Sequence, residues 1–255
     1  MTATTSFELT VLGTATPYPQ PDRACSGYLL TTGDTTVWVD AGAGSLANLQ
    51  RHTALELLDA IWISHLHADH EADLISAYYA LAFGGLAVAA PIPVYAPAGL
   101  AQRLAGFFAR SDTAFLEQVL CLHELHEGHR VVIGPLTLTA RAVHHDVEAY
   151  ALRAEAYGRT LVFSGDTGPC AALDDLAAGA HLLLCESESD TWPQGQPQWH
   201  HTPEDAGRLA RRTDPEHLVI THVGPTLTPD AASARAAEVF GGPTSTAREG
   251  DVYRV

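Results

Sequence analysis

The sequence contains no lysine: its 14 basic residues are all arginine, and they face 30 aspartate and glutamate residues, for a formal net charge of −16 at pH 7. Proteins that bind long nucleic acids usually carry a basic stripe, because Lys and Arg neutralise the phosphate backbone. RNA or DNA is therefore an unfavourable partner for this chain. A small anionic substrate remains compatible with the charge, because bound cations make a site locally positive.

Cysteine and long apolar runs are also scarce. The four cysteines show no CxxC spacing, so we expect free thiols in a reducing compartment, the cytoplasm. No apolar run approaches the roughly 20 residues that span a bilayer, so no membrane association is expected. The first residues lack the basic and apolar regions of a signal peptide. The length of 255 residues predicts a single domain over residues 1–255.

Strand patterns occur in two blocks, and helical patterns follow the strands in each block. Strands are predicted at 7–12, 28–30, 36–39, 60–63, 92–95, 130–133, 136–143, 149–154, 160–163, 182–185 and 218–221. Helices are predicted at 45–52, 71–81, 98–109, 113–120, 174–178 and 203–212. Two sets of strands with helices outside them predict an α/β fold of four layers, an αββα sandwich.

Four metal-capable side chains lie within six positions, directly after the apolar run 60–63. They follow the pattern His65-x-His67-x-Asp69-His70. Neutral imidazole and carboxylate are ligands that zinc, manganese and iron accept. His65 and His67 point the same way if the strand continues, because strand side chains alternate with period two. They can therefore hold one metal, while Asp69 and His70 turn into the next helix and can face a second.

Metal-capable residues also end three later apolar strands: the His144-His145 pair, Asp166 and His222. A single Asp at a strand end more often caps a turn. Three such residues behind the histidine-rich loop favour metal binding, because a two-metal site needs about four ligands for each ion. Asp40, which ends a strand before a Gly-rich turn, is expected to accept a hydrogen bond from a ligand rather than to bind metal itself.

This ordered set of ligands resembles the metallo-β-lactamase superfamily over nearly the whole chain. The resemblance implies an αββα sandwich with a two-metal site at one edge. It assigns the first metal to His65, His67 and His145. It assigns the second to Asp69, His70 and His222, with Asp166 bridging both. His145 is chosen over His144 because it precedes the strand that begins near Tyr150 by the number of residues found in ribonuclease Z-like proteins.

Several further segments are similar to the ribonuclease Z-like phosphodiesterases, among them residues 12–14, 23–29 and 163–167. In that branch a glutamate orients a histidine that assists at the phosphate. The matching pair here is Glu186 and His201, which the resemblance makes catalytic. Thr202 is expected to cap the helix after Pro203. Asp69 is the third catalytic candidate: it would hold the attacking water and accept its proton.

The substrate implied by the resemblance is a small phosphodiester. Ribonuclease Z enzymes carry a basic arm between the residues that match His145 and Asp166, but here Asp166 follows His145 by only 21 residues. Residues 143–170 look most like short bacterial members without the arm, which implies cyclic phosphodiesters, including 3′,5′-cyclic nucleotides. The alternatives are RNA 3′-processing of the ribonuclease Z kind and hydrolysis of a lactone or thioester. A non-catalytic binding module is the weakest alternative, because it has no use for a full ligand set.

The expected cofactors are two divalent metal ions, with Zn²⁺ first and Mn²⁺ or Fe²⁺ as alternatives, because mixed nitrogen and oxygen ligands suit all three. His123, His126 and His129 have a spacing that resembles a metal site, but the Glu127-Gly128 pair predicts a turn, so we expect a surface loop. A homodimer is implied by the resemblance alone.

Overall fold

The computed structural model describes residues 6–255. The first five residues, on which the signal-peptide prediction partly rests, lie outside the described part. The first half of the chain is built from β1 Phe7–Gly13, β2 Gly27–Thr32, β3 Thr35–Ala41, α1 Ser45–Leu49, β4 Ala60–Trp62, α2 Ala68–Glu71, α3 Asp73–Phe83, β5 Ile92–Ala96, α4 Leu100–Phe107 and β6 Leu120–Glu124.

The second half repeats the progression from strands to helices. It is built from β7 Arg130–Ile133, β8 Leu136–Ala142, β9 Tyr150–Ala156, β10 Arg159–Phe163, α5 Ala171–Ala177, β11 Leu182–Ser187, α6 Pro203–Thr213, β12 His217–Val223, α7 Pro229–Phe240, β13 Thr244–Thr246 and β14 Val252–Arg254. These strands form two seven-stranded sheets, in the orders β14-β1-β2-β3-β4-β5-β6 and β13-β12-β11-β10-β9-β8-β7.

The two sheets pack face to face, and the helices cover their outer faces. Successive strand side chains point to opposite faces, so each strand supplies two cores. Val37 of β3 lies between the sheets, whereas its neighbour Trp38 packs under α1, α3 and α4. In the other sheet, Phe163 of β10 lies between the sheets and Val162 packs under α5, α6 and α7. The predicted four-layer αββα sandwich is therefore what the chain forms.

The prediction of a helix over residues 113–120 is wrong. Only one 3₁₀ turn forms there, at Leu116–Gln118, and Leu120 already begins β6. Leu120 pairs with Ile92 of β5 in parallel, so a partner far away in sequence decides its backbone, and local propensity is overridden. The predicted helix 71–81 is divided into α2 and α3. The sequence interpretation contained no counterpart of β6, α7, β13 or β14.

One edge of the sandwich collects the loops that carry the metal-capable residues. The loop after β4 meets the start of β9 there: His65 forms a β-bridge with Ala149, and the Tyr150 amide donates to the Ser64 carbonyl at 2.9 Å. These contacts join the two sheets at the edge where β10, β11 and β12 also end. No helix among residues 6–255 is long and apolar enough to cross a membrane.

Candidate metal centre

Three imidazoles meet at the edge of the sandwich: His65, His67 and His145. Nε2 of His65 lies 3.1 Å from Nδ1 of His67, and Nε2 of His145 lies 3.2 Å from the same Nδ1 atom. The other ring nitrogen of His145, Nδ1, donates to the carbonyl of Trp199 at 3.0 Å. That bond leaves Nε2 of His145 as the lone-pair nitrogen facing its neighbours. The structure thus brings together the three residues predicted for the first metal.

A second group lies beside the first and contains Asp69, His70 and His222. Their donor atoms converge, with Nε2 of His70 3.1 Å from Nε2 of His222 and Oδ2 of Asp69 3.3 Å from the latter. Asp166 lies between the two groups. Its Oδ2 is 3.3 Å from Nε2 of His70 and 3.7 Å from Nε2 of His65. All seven predicted ligands therefore occupy one site.

Asp40 supports this site from behind. Its carboxylate accepts from the Ser64 amide at 2.7 Å and the Ser64 hydroxyl at 2.9 Å. It also accepts from Nδ1 of His70 at 2.6 Å, so the Nε2 atom of His70 is turned towards His222. Asp40 and His222 both have positive φ angles, 55° and 50°. Such backbone is strained for residues with a side chain, and strain of this kind is typically found at functional sites.

Asp40→Ala is expected to lower the affinity for zinc by between about 10-fold and about 100-fold, because residues that orient ligands contribute that much. It should also lower the free energy of unfolding of the metal-free protein by about 3 kcal/mol, since a buried imidazole loses its carboxylate partner. For a chain of this size the melting temperature falls by about 6 to 12 °C. Competition with a chelating dye and thermal unfolding measure the two effects.

Asp22→Ala is the matched control for this variant. Asp22 also has a positive φ, 59°, but it is exposed, so the control measures the backbone penalty without loss of the buried hydrogen bonds. Asp40→Asn keeps an amide oxygen for Ser64 and tolerates positive φ, and it should fall between the alanine variant and the wild type. Equal zinc affinity in Asp40→Ala and Asp22→Ala would contradict the supporting role.

The predicted pairing of Glu186 with His201 is wrong. Oε1 of Glu186 bonds to Nδ1 of His200 at 3.0 Å, whereas Nδ1 of His201 donates to the Thr167 carbonyl at 2.6 Å. Thr202 caps α6 with a capping box, as predicted. His200 faces the metal-capable cluster, 3.9 Å from Oδ2 of Asp166, and His201 is buried behind it.

A profile of the beta-lactamase superfamily domain matches residues 35–223. The chain belongs to the beta-lactamase superfamily. It is 26% identical to the probable metallo-hydrolase YhfI of Bacillus subtilis over 249 residues, 97% of this chain and 99% of YhfI. It is 31% identical to ribonuclease Z of Mycobacterium marinum over 265 residues, 92% of this chain and 94% of that protein. The crystal structure of YhfI matches with a TM-score of 0.86 and 26% identity, over 98% of this chain and 100% of that one.

Membership of the beta-lactamase superfamily confirms the predicted resemblance and fold. This superfamily member is a metallo-hydrolase. Its relatives carry names that differ in activity, so the reaction of this chain must be argued from its own site.

The imidazoles of this superfamily site differ in charge. Burial, followed by the charge of His70, holds the pKa of His65 well below its ordinary value. Burial and His145 lower the pKa of His67 in the same way. Burial also acts to lower the pKa of His70, but the carboxylates of Asp166 and Asp40 outweigh it and raise that pKa well above the ordinary value. His65 and His67 are therefore neutral, as metal ligands must be. The negative charges of Asp166 and Asp40 around His70 favour the binding of a cation.

The carboxylates stay ionised despite their burial. Burial acts to raise the pKa of Asp166, but the charges of His222, His70 and His65 hold it well below its ordinary value. For Asp69, burial is likewise outweighed by the hydrogen bond to His222 and the charge of His70, and the pKa is lowered. Two ionised carboxylates in one buried site provide the charge that a divalent cation requires.

The donor set fits a metal. Oδ1 of Asp166 and Nδ1 of His222 are both buried and make no hydrogen bond within the described residues. A buried polar atom without a partner costs about 1 to 3 kcal/mol. Groups of three residues, His65 with His67 and His145, and Asp69 with His70 and His222, keep their donor atoms within 4.8 Å of one another. Neutral imidazoles and carboxylates at this spacing match the ligands of zinc, manganese and iron.

Three polar residues at the site were not found from the sequence. Thr16 donates its hydroxyl to Oδ2 of Asp69 at 3.2 Å. Oδ1 of Asp146, half exposed, lies 3.1 Å from Nε2 of His145. His200 was given no role, because the resemblance paired Glu186 with His201. The sequence holds no signal for Thr16, but Asp146 directly follows a predicted ligand and could have been named on that ground.

Of the three histidines predicted to lie in a surface loop, His123 and His126 are exposed, whereas His129 is partly buried. His126 bonds its own loop through the Glu127 carbonyl at 3.0 Å, and the ring of His123 stacks on Tyr95 with the centroids 5.0 Å apart. His123 itself belongs to β6, so only the segment after it forms the turn. The four cysteines are free thiols, and the groups of donor atoms found among residues 6–255 include none of them.

Proposed function

We propose that this metallo-hydrolase is a phosphodiesterase that cleaves small phosphodiesters, with 3′,5′-cyclic nucleotides as the first candidates. The observation that carries the proposal is His200, held by Glu186 at 3.0 Å and facing Asp166 at 3.9 Å, where the two ligand groups meet. A phosphoryl group presents more oxygens than a carbon ester does. An additional donor beside the ligands is therefore of particular use to a phosphodiesterase.

Two divalent metal ions, Zn²⁺ first and Mn²⁺ or Fe²⁺ as alternatives, are the proposed cofactors. The first ligand group is His65, His67 and His145, and the second is Asp69, His70 and His222. Asp166 is proposed to serve both groups, because it approaches His65 and His70 at 3.7 and 3.3 Å. Bound cations of this kind polarise phosphoryl oxygens and make water acidic enough to lose a proton near neutral pH.

The chain's own side chains hold and orient the substrate. Nδ1 of His200 is engaged by Glu186, which leaves Nε2 as the atom that can donate to a phosphoryl oxygen or protonate the leaving alkoxide. Glu186 is itself fixed, because its Oε1 accepts from the Thr167 amide at 2.9 Å and its Oε2 accepts from the Glu188 amide at 2.9 Å. Asp69, which accepts from the Thr16 hydroxyl, is proposed to orient the attacking water.

Several observations favour a small substrate over RNA. β9 and β10 are joined by only two residues, Tyr157 and Gly158, so no arm extends from the segment between His145 and Asp166. The alignment with ribonuclease Z is 265 positions long but contains only about 235 residues of this chain, which is 92% of its length. About 30 residues of that ribonuclease Z therefore have no counterpart in this chain. The alignment with YhfI is 249 positions long and contains about 247 residues of this chain, so it has almost no such gap.

RNA processing and the hydrolysis of a carbon ester are the two alternatives to phosphodiester hydrolysis. The 31% identity to a ribonuclease Z favours RNA 3′-processing, although a net charge of −16 opposes it. A lactone or thioester hydrolase would use the same metals, but the Glu186–His200 pair would have no evident task in it. The resemblance of residues 143–170 to short members without the arm places cyclic nucleotides ahead of both.

The deciding experiment offers the purified protein five substrates side by side, with zinc and separately with manganese: bis-p-nitrophenyl phosphate, 3′,5′-cyclic AMP, a precursor tRNA, an acyl-homoserine lactone and a thioester. We expect turnover of the first two and none of the others, because the Glu186–His200 pair suits phosphoryl oxygens and a net charge of −16 opposes RNA. Chelated protein is the control. Cleavage of the tRNA alone would replace the proposal with RNA processing, and turnover of a carbon ester alone would replace it with that hydrolase activity.

A further inference from the structure

Two aromatic side chains pack against each other, with their rings tilted, beside the metal-capable cluster without belonging to it. The rings of Trp199 and His144 have their centroids 4.9 Å apart and an interplanar angle of 34°. Each residue directly precedes a histidine of the site, His200 and His145 respectively. His144 is exposed and Trp199 is partly exposed. The pair therefore forms an aromatic surface that solvent reaches, one residue away from two sides of the cluster.

Backbone hydrogen bonds hold both residues in place. The His144 amide donates to the Thr167 hydroxyl at 3.1 Å, and the His144 carbonyl accepts from the Gly168 amide at 2.8 Å. The Trp199 carbonyl accepts from Nδ1 of His145 at 3.0 Å. Because these bonds use main-chain atoms, neither aromatic ring is needed to make them. The rings are positioned by the frame of the site and are free for another purpose.

The surroundings of Trp199 suit a neutral, flat ligand. The segment from residue 191 to residue 199 contains no charged side chain, in a chain that has 30 acidic residues. The Gln198 carbonyl of this segment lies so close to Gly168 that a Cβ on residue 168 would be 1.8 Å from the carbonyl oxygen. The segment is therefore packed against the loop that follows Asp166. The Trp199 side of the aromatic pair therefore carries no charged side chain in its own segment, although it borders a site rich in carboxylates and imidazoles.

We propose that the Trp199–His144 pair is a nucleobase platform, on which the base of a nucleotide stacks while its phosphate lies at the metal centre. The identity of the ligand as a nucleotide rests on the proposed function, but the stacking surface does not. Every base offers a π face, so such a platform tolerates different bases. The platform separates nucleotides from base-free phosphodiesters of the same charge.

The test compares the binding of adenosine 5′-monophosphate and ribose 5-phosphate to the zinc-loaded protein by calorimetry. Both probes carry the same phosphate, and only the first carries a base. Stacking of one base on an aromatic residue changes affinity by between about 5-fold and about 150-fold. We expect the wild type to prefer adenosine monophosphate by a factor in this range. We expect Trp199→Ala to reduce the ratio of the two affinities to about one.

Two further variants keep the test clear of folding effects. Trp199→Phe retains an aromatic face and should keep most of the preference. Trp192→Ala removes another partly exposed tryptophan of the same loop, whose Nε1 donates to the Gln196 carbonyl, and should keep the wild-type ratio. Zinc content is measured for each protein, because a purely structural role of Trp199 would show as lost zinc with both probes weakened equally.

The outcomes separate this inference from the proposed function. A wild type that binds both probes equally, or a Trp199→Ala variant with the full preference, overturns the platform even if phosphodiesters are cleaved. If the preference for adenosine monophosphate disappears in Trp199→Ala, the platform is established even when cyclic AMP is not cleaved. In that case only the proposed reaction is rejected.

Discussion

Asp166→Ala is expected to lower kcat/KM by well over about 100-fold, because residues that merely orient metal ligands already contribute 10- to 100-fold. Asp166 is 2% exposed and approaches imidazoles of both ligand groups. Its loss removes the carboxylate that lies between the two ligand groups, while Asp40 still faces His70 and Asp69 still faces His222. Turnover of bis-p-nitrophenyl phosphate measures the effect on activity.

The same variant should lose the thermal stabilisation that added zinc produces. A metal at 100 times its Kd stabilises the folded wild type by about 2.7 kcal/mol, which corresponds to a rise of about 5 to 11 °C in melting temperature. Asp175→Ala is the matched control, since that side chain is 74% exposed and lies outside the site. A zinc-dependent rise in Asp166→Ala equal to that of the control would contradict the role of Asp166 as a ligand.

His200→Ala is expected to lower kcat by about 100-fold or more, the contribution of a positioned general acid or of a group that stabilises developing charge. Its ring is held by Glu186 and faces Asp166. Burial lowers the pKa of His200, but Glu186 and Asp166 outweigh it and raise the pKa to about 10. Bound metal ions would oppose the imidazolium charge and lower the pKa of His200. Zinc content should remain that of the wild type, because a full ligand set is left.

His201→Ala is the partner variant for this prediction. His201 is 1% exposed, and its Nδ1 bonds the Thr167 carbonyl, so its loss should lower the melting temperature rather than act on the chemical step. Glu186→Gln should resemble His200→Ala in kcat, since it removes the charge that orients the ring. Loss of turnover in His201→Ala together with full activity in His200→Ala would contradict this prediction. It would favour the Glu186–His201 pair expected from the sequence over the Glu186–His200 pair seen in the structure.

Local pattern predicted most strands correctly because each sheet strand carries its own alternating or continuous apolar signal. β3 and β10 were recognised from Val37–Val39 and Leu161–Phe163 alone. The elements that were missed depend on distant partners. β14 contains three residues and forms because it pairs with β1, more than 240 residues away. No local feature of Val252–Arg254 predicts that pairing. β6 was missed for the same reason, and its first residue, Leu120, was predicted as the end of a helix.

The ligand set was accessible from the sequence because metal sites need particular residue types at the ends of strands, and strand ends are visible as the end of an apolar run. All seven residues predicted for the two metals converge in the structure. The histidine paired with Glu186 was not accessible. His200 and His201 are chemically identical neighbours, and only the direction of the backbone before Thr202 decides which ring faces the cluster and which is buried.

The amino-acid sequence by itself determined the layers of the fold and the residue types that can hold metal, because these follow from hydrophobic periodicity and from the chemistry of individual side chains. The superfamily followed from the resemblance of the ordered ligand motif. The tertiary structure alone decided which side chains act together. Asp40 meets His70 across 30 positions, His145 meets the Trp199 carbonyl across 54, and Glu186 selects His200 over His201. Such pairings depend on distances and directions that arise only when the two sheets meet at one edge.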